Sequence, residues 1–456
     1  MSDQEHLSRA LKSRHIQMIA LGGAIGTGLF FGAGTAIRMT GPSIILAYAL
    51  GGLMIYFVMR MLGEMSTQEP VAGAFSHFAY KYWGKFPGFV AGWNYWILYI
   101  LVSMVELTVI GEYIRYWYPD FPPWLSALIV LVLITFINLV SVKIYGEFEF
   151  YFALLKIITI IFLIVLGAYI ILFGFGGEPA GISNLWIHGG FMPNGLSGMA
   201  SALVVVAFSF GGTELVGVAA GEADNPRETI PKAIKQVMLR ILIFYIGSLA
   251  VIMCIYPWNE ISTAENLSTS PFVLIFTKIG IPAAAHIMNF VVLSAAVSVY
   301  NSGIYSNGRM LYSLAEQGNA PQIFKKLNSS RIPVTAILFS SACTLVIVIV
   351  NFLVPDGAFM RIMTIATTSA IITWLLIVIV HLFFRKKMVE QREMIYFPSL
   401  LYPYANYIVI LYFMFLMYIM WVIGKQEALI AIPLWIGVLA VGFWAKEKNA
   451  EKMLKD

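Results

Sequence analysis

The sequence predicts an all-α polytopic membrane protein with about twelve transmembrane helices. Three observations carry that expectation. Of 456 residues, 59% are hydrophobic and only 12% charged, with a mean hydropathy of +0.81; soluble domains run at about 45–50% apolar and about 25% charged. Apolar stretches of about 20 residues, enough to cross roughly 30 Å of hydrocarbon, recur along the whole chain. Two of those stretches are interrupted by glycine-rich segments.

Residues 1–15 are expected as a cytoplasmic tail. The first apolar stretch, 16–37, contains Gly22-Gly23-Ala24-Ile25-Gly26-Thr27-Gly28, four glycines in seven residues. Each interior Gly costs a helix roughly 1 kcal/mol relative to Ala, and non-helical backbone at membrane depth persists only where protein or a polar cavity satisfies it. A broken span beside a binding site is therefore expected here. The stretch is too long for a signal-peptide core and has no small-residue cleavage site at its end, so no cleaved leader is expected. Spans follow near 43–63, 88–112, 124–142 and 151–173.

The sixth stretch, 198–219, holds Phe208-Ser209-Phe210-Gly211-Gly212-Thr213-Glu214, a second glycine break with a carboxylate behind it. Stretches near 237–256, 282–305, 334–354 and 359–383 come next, then 405–423 and 428–445, and 446–456 is expected as a second cytoplasmic tail. Two breaks five spans apart point to an inverted repeat with discontinuous helices around a midplane site. The repeats would be residues 16–173 and 198–383, with helices 11 and 12 (405–445) outside them. Small residues also serve close helix packing, which is the plainer explanation for either glycine segment.

Basic residues set the orientation. With both termini on one side, 23 of the 29 Lys and Arg fall on that side, five fall opposite, and Lys156 stays inside a span. The positive-inside rule makes both termini cytoplasmic. The net charge of +5 thus reflects topology and gives no reason to expect a nucleic-acid partner. Cys254 and Cys343 lie in separate spans and are expected as buried thiols. The six histidines show no metal-ligand spacing, with His15 expected at the interface and His381 at a helix end. No feature speaks for a particular oligomeric state; beyond lipid, the expected partner is a small molecule.

Free backbone groups at the breaks define what that molecule is. A half-helix N-terminus offers N–H donors and a positive dipole end to a carboxylate, and the carbonyls ending the preceding half-helices suit an ammonium. One site offering both fits a zwitterion, so a free amino acid is the expected substrate. Ionisable groups inside spans are functional candidates, because each costs about 2.5–3.5 kcal/mol at the bilayer centre on insertion scales. Lys156 is a candidate proton carrier, or else a lysine snorkelling from its helix end. Glu106 shares a helical face with Tyr99 and Ser103 at i, i+4, i+7 spacing; that face is expected to line the cavity, with Glu106 as proton carrier or helix-helix anchor. Glu214 is a third coupling candidate or a cap of its half-helix. Glu64, in Leu62-Gly63-Glu64-Met65, is expected in a structural ion pair.

The motifs resemble those of the amino acid permeases of the amino acid-polyamine-organocation superfamily, in the bacterial amino acid transporter branch. The resemblance runs over nearly the whole chain: Arg14 to Phe30; Gly41-Pro42; Gly63-Glu64-Met65 with Pro70-Val71-Ala72-Gly73; Gly221-Glu222-Ala223-Asp224-Asn225-Pro226 with Ile230-Pro231-Lys232-Ala233; Ser298 to Gly303; and Arg309-Met310-Leu311-Tyr312 with Gly318-Asn319-Ala320-Pro321. It implies a LeuT-type fold with five-plus-five inverted repeats and broken helices 1 and 6, and proton-coupled uptake across the bacterial inner membrane. By that resemblance, Ala24, Ile25, Gly26, Thr27 and Gly28 would supply backbone groups to the α-carboxylate and α-amino groups. Phe208, Ser209 and Gly211 would offer carbonyls to the ammonium, with Phe210 as an aromatic wall or gate. Lys156 matches a lysine that in some proton-coupled relatives stands where sodium-coupled members hold their ion.

Ser76-His77-Phe78-Ala79-Tyr80-Lys81-Tyr82-Trp83-Gly84, Gly92-Trp93-Asn94-Tyr95-Trp96 and Leu400-Leu401-Tyr402-Pro403 look most like the aromatic and phenylalanine permeases of that branch. Gly212-Thr213-Glu214 instead resembles carriers of lysine or γ-aminobutyrate. The resulting expectation is a proton symporter for a neutral, aromatic L-amino acid, with no cofactor, no metal, no sodium and no enzymatic activity. Alternatives are a carrier of lysine, proline or γ-aminobutyrate, an amino acid exchanger, and a membrane amino acid sensor, for which both tails are short.

Overall fold

The computed structural model describes residues 11–19, 25–30, 32–71, 73–174, 181–223, 225–261, 271–273, 282–353 and 358–453. Among these residues the fold is all-α, with a single extended bridge joining Leu11 to Ala223. The helices in chain order are α1 (Ser13–Met18), α2 (Thr27–Phe30), α3 (Gly32–Thr40), α4 (Ile44–Gln68), α5 (Ala74–Phe78), α6 (Lys85–Arg115), α7 (Pro123–Val140), α8 (Val142–Phe173) and α9 (Gly195–Ser209). They continue with α10 (Leu215–Ala219), α11 (Pro226–Arg240), α12 (Ser248–Ile255), α13 (Pro282–Glu316), α14 (Val334–Leu353), α15 (Ala358–Gln391), α16 (Tyr404–Val422) and α17 (Gln426–Met453).

Nine helical segments among the described residues are long and apolar enough to cross a membrane, so the protein is a multi-pass membrane protein. The difference from the expected dozen has a local cause. Two stretches that fall short, 16–37 and 198–219, are the glycine-interrupted ones. α9 stops at Ser209 and the helix resumes at Leu215, leaving fifteen- and five-residue pieces. Ahead of α2, Ile25 and Gly26 are not helical. The expected stretch 334–354 forms the twenty-residue helix α14, Val334–Leu353.

Boundaries follow capping chemistry. Pro123 opens α7 at a position where the missing N–H costs nothing. Ser141, extended at φ −164°, separates α7 from α8, and its hydroxyl accepts from the Lys143 N–H at 3.1 Å. α8 therefore begins nine residues before the expected start near 151. α6 and α13 pack together most extensively, with α15 also against α6 and α9 against α3; the two breaks meet inside this group.

The first described residues are docked rather than free. Leu11 N–H donates to the Glu222 carbonyl at 3.3 Å, and His15 is buried with Nε2 at 3.2 Å from Glu147 Oε1, so it sits inside the protein rather than at an interface. His381 likewise lies within α15, fully buried and 3.1 Å from Glu64, which also pairs with Arg385. Glu64 is thus held in the expected ion pair. Three arginines counted on the basic side are buried: Arg60 over the Phe397 ring at 3.8 Å, Arg240 beside Tyr245, and Arg309 paired with Glu222 at 2.8 Å. The excess of positive charge keeps its sign without them.

Candidate functional site

The ends of the broken helices face each other with almost no space between their backbones. A Cβ on Gly28 would lie 2.6 Å from Ser209 Cα, so only glycine lets α2 approach the end of α9 this closely. A Cβ on Gly26 would lie 2.7 Å from Val299 Cγ2 and 3.3 Å from Glu106 Oε1. Close packing and access to the backbone are therefore the same feature at this point. Beside the contact lies a small cavity of about 30 Å³, room for about two water molecules.

Two kinds of surface line it. Backbone and polar groups come from Gly26, Gly28, Ser209, Gly211 and Gly212, with Tyr99, Glu106 and Glu214. Apolar side chains come from Leu98 and Val102 of α6, Phe208 of α9, Val299 of α13, and Ala366 and Ala370 of α15. Ala366 and Ala370 are four residues apart on one helical face, and their small side chains leave the space that larger residues would fill.

A buried carboxylate attends each break. Glu106, on α6, accepts from Thr27 Oγ1 at 2.9 Å and from the Thr27 backbone N–H, the first donor of the resumed helix. Its Oε2 has no hydrogen-bond partner among the described residues. Glu214 lies in the second break. Its Oε1 accepts from Gly212 N–H at 3.2 Å and Tyr99 Oη at 3.3 Å, and its Oε2 from Trp374 Nε1 at 3.3 Å and Thr213 Oγ1 at 3.5 Å. It does not cap α10 with its side chain; it folds back on the break and ties it to α6 and α15.

The second break satisfies much of its own backbone. Phe208 O accepts from Gly211 N–H at 3.0 Å, and Ser209 O from Tyr245 Oη at 3.0 Å. Each carbonyl retains a second lone pair for a ligand. Gly212 stands at φ +91°, a conformation that favours glycine.

Several expected site residues stand elsewhere. Ala24 lies outside the described residues. Ile25 is buried in the core and Thr27 reaches the cavity only through Glu106. Phe210 is fully buried between Tyr48 and Tyr245, with ring centroids at 5.8 and 5.0 Å, and does not line the cavity. Ser103 also fails to line it: its Oγ lies against Gly303, 2.7 Å from where a Cβ would be, because the cavity takes residues 98, 99, 102 and 106 of α6. Thr213 donates to Phe210 O at 3.0 Å and faces away from the cavity.

Lys156 is fully buried fourteen residues into α8, about 21 Å along the helix at about 1.5 Å per residue. The earlier start of α8 places it deep inside, where snorkelling from the helix end does not apply. Its Nζ donates to Ser298 Oγ at 2.8 Å, next to the cavity residue Val299. Apart from Phe208, the apolar wall and Trp374 carry no sequence signal of their own. Glu149 does: it stands seven residues before Lys156 on the same helical face.

A bundle of apolar helices enclosing a partly polar cavity between two interrupted helices defines a multi-pass membrane protein built to hold a small solute. The chain belongs to the amino acid permease family, whose profile matches residues 15–455. It is 50% identical over 455 residues, 99% of either chain, to the aromatic amino acid transport protein AroP of Escherichia coli O6:H1 (strain CFT073). AroP of Salmonella typhimurium (strain LT2) is 48% identical over the same length, with 99% of each chain covered. The uncharacterized amino acid permease YtnA of Bacillus subtilis (strain 168) is 45% identical over 454 residues, covering 98% of this chain and 97% of its own. The chain is accordingly an amino acid transporter.

Proposed function

We propose that this permease carries aromatic L-amino acids into the cell by proton symport across the bacterial inner membrane. The observation that carries the reading is the lining of the cavity: backbone of both breaks together with the apolar side chains of Leu98, Val102, Phe208, Val299, Ala366 and Ala370. The backbone groups suit the carboxylate and ammonium common to all amino acids. The apolar side chains suit a ring, for which an apolar pocket with few polar groups is the usual host. The naming of the AroP relatives as aromatic amino acid transport proteins supports the same side chain.

The architecture goes with this reading: twelve spans with both termini cytoplasmic, residues 16–173 and 198–383 as inverted five-helix repeats, and alternating access around the fixed site. Gly26, Gly28, Ser209 and Gly211 bind the amino acid head, Tyr99 and Phe208 frame it, and the proton is carried by Lys156 and Glu106. Glu214 holds the second break in shape. No cofactor and no sodium ion enter the cycle.

Competition in proteoliposomes tests this directly. Excess unlabelled phenylalanine or tryptophan should abolish uptake of labelled phenylalanine driven by an inward proton gradient, whereas lysine and proline should leave it intact. Competition by lysine as strong as by phenylalanine would transfer the assignment to a cationic substrate, and uptake indifferent to the proton gradient but requiring internal amino acid would make the protein an exchanger.

A further inference from the structure

Glu149 has no place in substrate binding, yet it is fully buried in α8. It stands seven residues before Lys156, on the same face of the helix. Between the two lies Ser298 of α13: Lys156 Nζ donates to Ser298 Oγ at 2.8 Å, and Ser298 Oγ donates to Glu149 Oε1 at 2.6 Å. Asn301 and Ser302 of α13 flank the carboxylate, and Tyr145 lies one turn before it on α8. The other charged groups acting on Lys156 are Glu106, at the cavity, and Arg240 of α11.

A hydroxyl that accepts from an ammonium and donates to a carboxylate is aligned to pass a proton in one direction. We infer that Glu149 is the second station of the transported proton, reached from Lys156 through the hydroxyl of Ser298. The inference rests on the proton-coupled reading above. In the step, one N–H bond of the Lys156 ammonium breaks as an O–H bond forms on Ser298. The original Ser298 O–H bond breaks as Glu149 Oε1 takes that proton.

Lys156 ends as a neutral amine, Glu149 as a neutral acid, and Ser298 unchanged. The sum of charges stays zero, so no net charge is created in the dry interior, where an isolated one is most costly. The transfer advances the proton by no more than about 5 Å, because both its hydrogen bonds, at 2.8 and 2.6 Å, meet at the one Ser298 oxygen. Its direction is toward the end of α8 where Leu11 and His15 pack against Gly146. When that end opens, Glu149 releases the proton to water and returns to a carboxylate, and Lys156 takes the next proton from the cavity side.

The test measures protons moved per phenylalanine in proteoliposomes with a pH dye trapped inside, for the full-length protein and its Glu149→Gln and Ser298→Ala variants. Both variants should lose proton movement at least fivefold per substrate while retaining phenylalanine counterflow, and Glu149→Asp should restore coupling. A merely structural Glu149 would lower the amount of active protein or the speed of counterflow, but not the ratio. Ser298→Ala removes no charge and reports on the relay should Glu149→Gln not fold. An unchanged ratio in either folded variant would overturn the inference with symport intact; a wild-type protein that moves no protons would overturn the symport reading and the inference together.

Discussion

The two breaks solve the same problem in different ways. Each exposes backbone inside the membrane, and each is attended by a buried carboxylate, but Glu214 comes from within its own break whereas Glu106 comes from a neighbouring helix. Glu214 has both oxygens engaged by four donors from Gly212, Thr213, Tyr99 and Trp374. Glu106 is held through Thr27 alone, with Oε2 unpartnered among the described residues. A saturated carboxylate fixes geometry; one with a free oxygen can respond to a ligand or a proton. The second break is thus the rigid half of the site and the first the responsive half.

The largest expected effect belongs to Lys156, the proposed proton carrier. One elementary charge crossing 100 mV carries about 2.3 kcal/mol, enough for about 50-fold accumulation. Lys156→Ala should reduce gradient-driven accumulation of phenylalanine to none while leaving binding detectable by thermal shift. Full accumulation in that variant would remove the lysine from the coupling mechanism.

Crowding the first break comes next. Gly26→Leu drives a side chain into Val299 and Glu106, and overpacking of about 1–3 kcal/mol should weaken phenylalanine binding by roughly 5- to 150-fold in a protein that still folds. Calorimetric titration of the folded variant measures this, and unchanged affinity would reduce Gly26 to a packing residue.

Exchanging the carboxylates for amides separates the halves. Glu214→Gln confronts donors with an NH2 group and should lower stability by about 1–3 kcal/mol while leaving the pH profile of uptake in shape. Glu106→Gln should change that profile with less effect on thermal stability. The reverse pattern, read from melting curves and uptake across pH, would exchange the roles assigned to the two breaks.

Much of this was legible in the residues. Glycines at 26, 28 and 211–212 announced the breaks because no helix tolerates them cheaply, and Lys156 and Glu106 announced themselves by charge at membrane depth. Ser103 misled because i, i+4, i+7 spacing fixes a shared face, not which part of that face meets the cavity. Phe210 misled because an aromatic beside a break has two directions open to it, and Tyr48 and Tyr245 take it. Ala366 and Ala370 were invisible: they act by being small, and only the surrounding helices reveal the space they leave.

The smallest effect lies outside the membrane spans. Glu69 follows α4; burial opposes its ionisation, but hydrogen bonds from His77, Lys81 and Tyr82 and the Lys81 charge outweigh that and hold its pKa at about 2. Because the folded pKa is depressed, the stabilisation is present above the ordinary carboxyl value and fades as pH falls toward about 2. Half-exposed Lys81 limits its size. Glu69→Gln should lower stability by about 0.5–1 kcal/mol at neutral pH, and the gap to wild type in detergent melts should shrink with acidification.

The proposed site as a whole depends on a ring fitting against Ala366 and Ala370. Thermal stabilisation by phenylalanine, compared between the wild-type protein and Ala370→Phe, tests it most directly. At a hundred times its dissociation constant a ligand adds about 2.7 kcal/mol to apparent stability. The wild type should show that rise with phenylalanine and none with lysine, and Ala370→Phe should lose it while keeping its own melting transition. Equal stabilisation of both proteins by phenylalanine would place the ring somewhere other than this cavity.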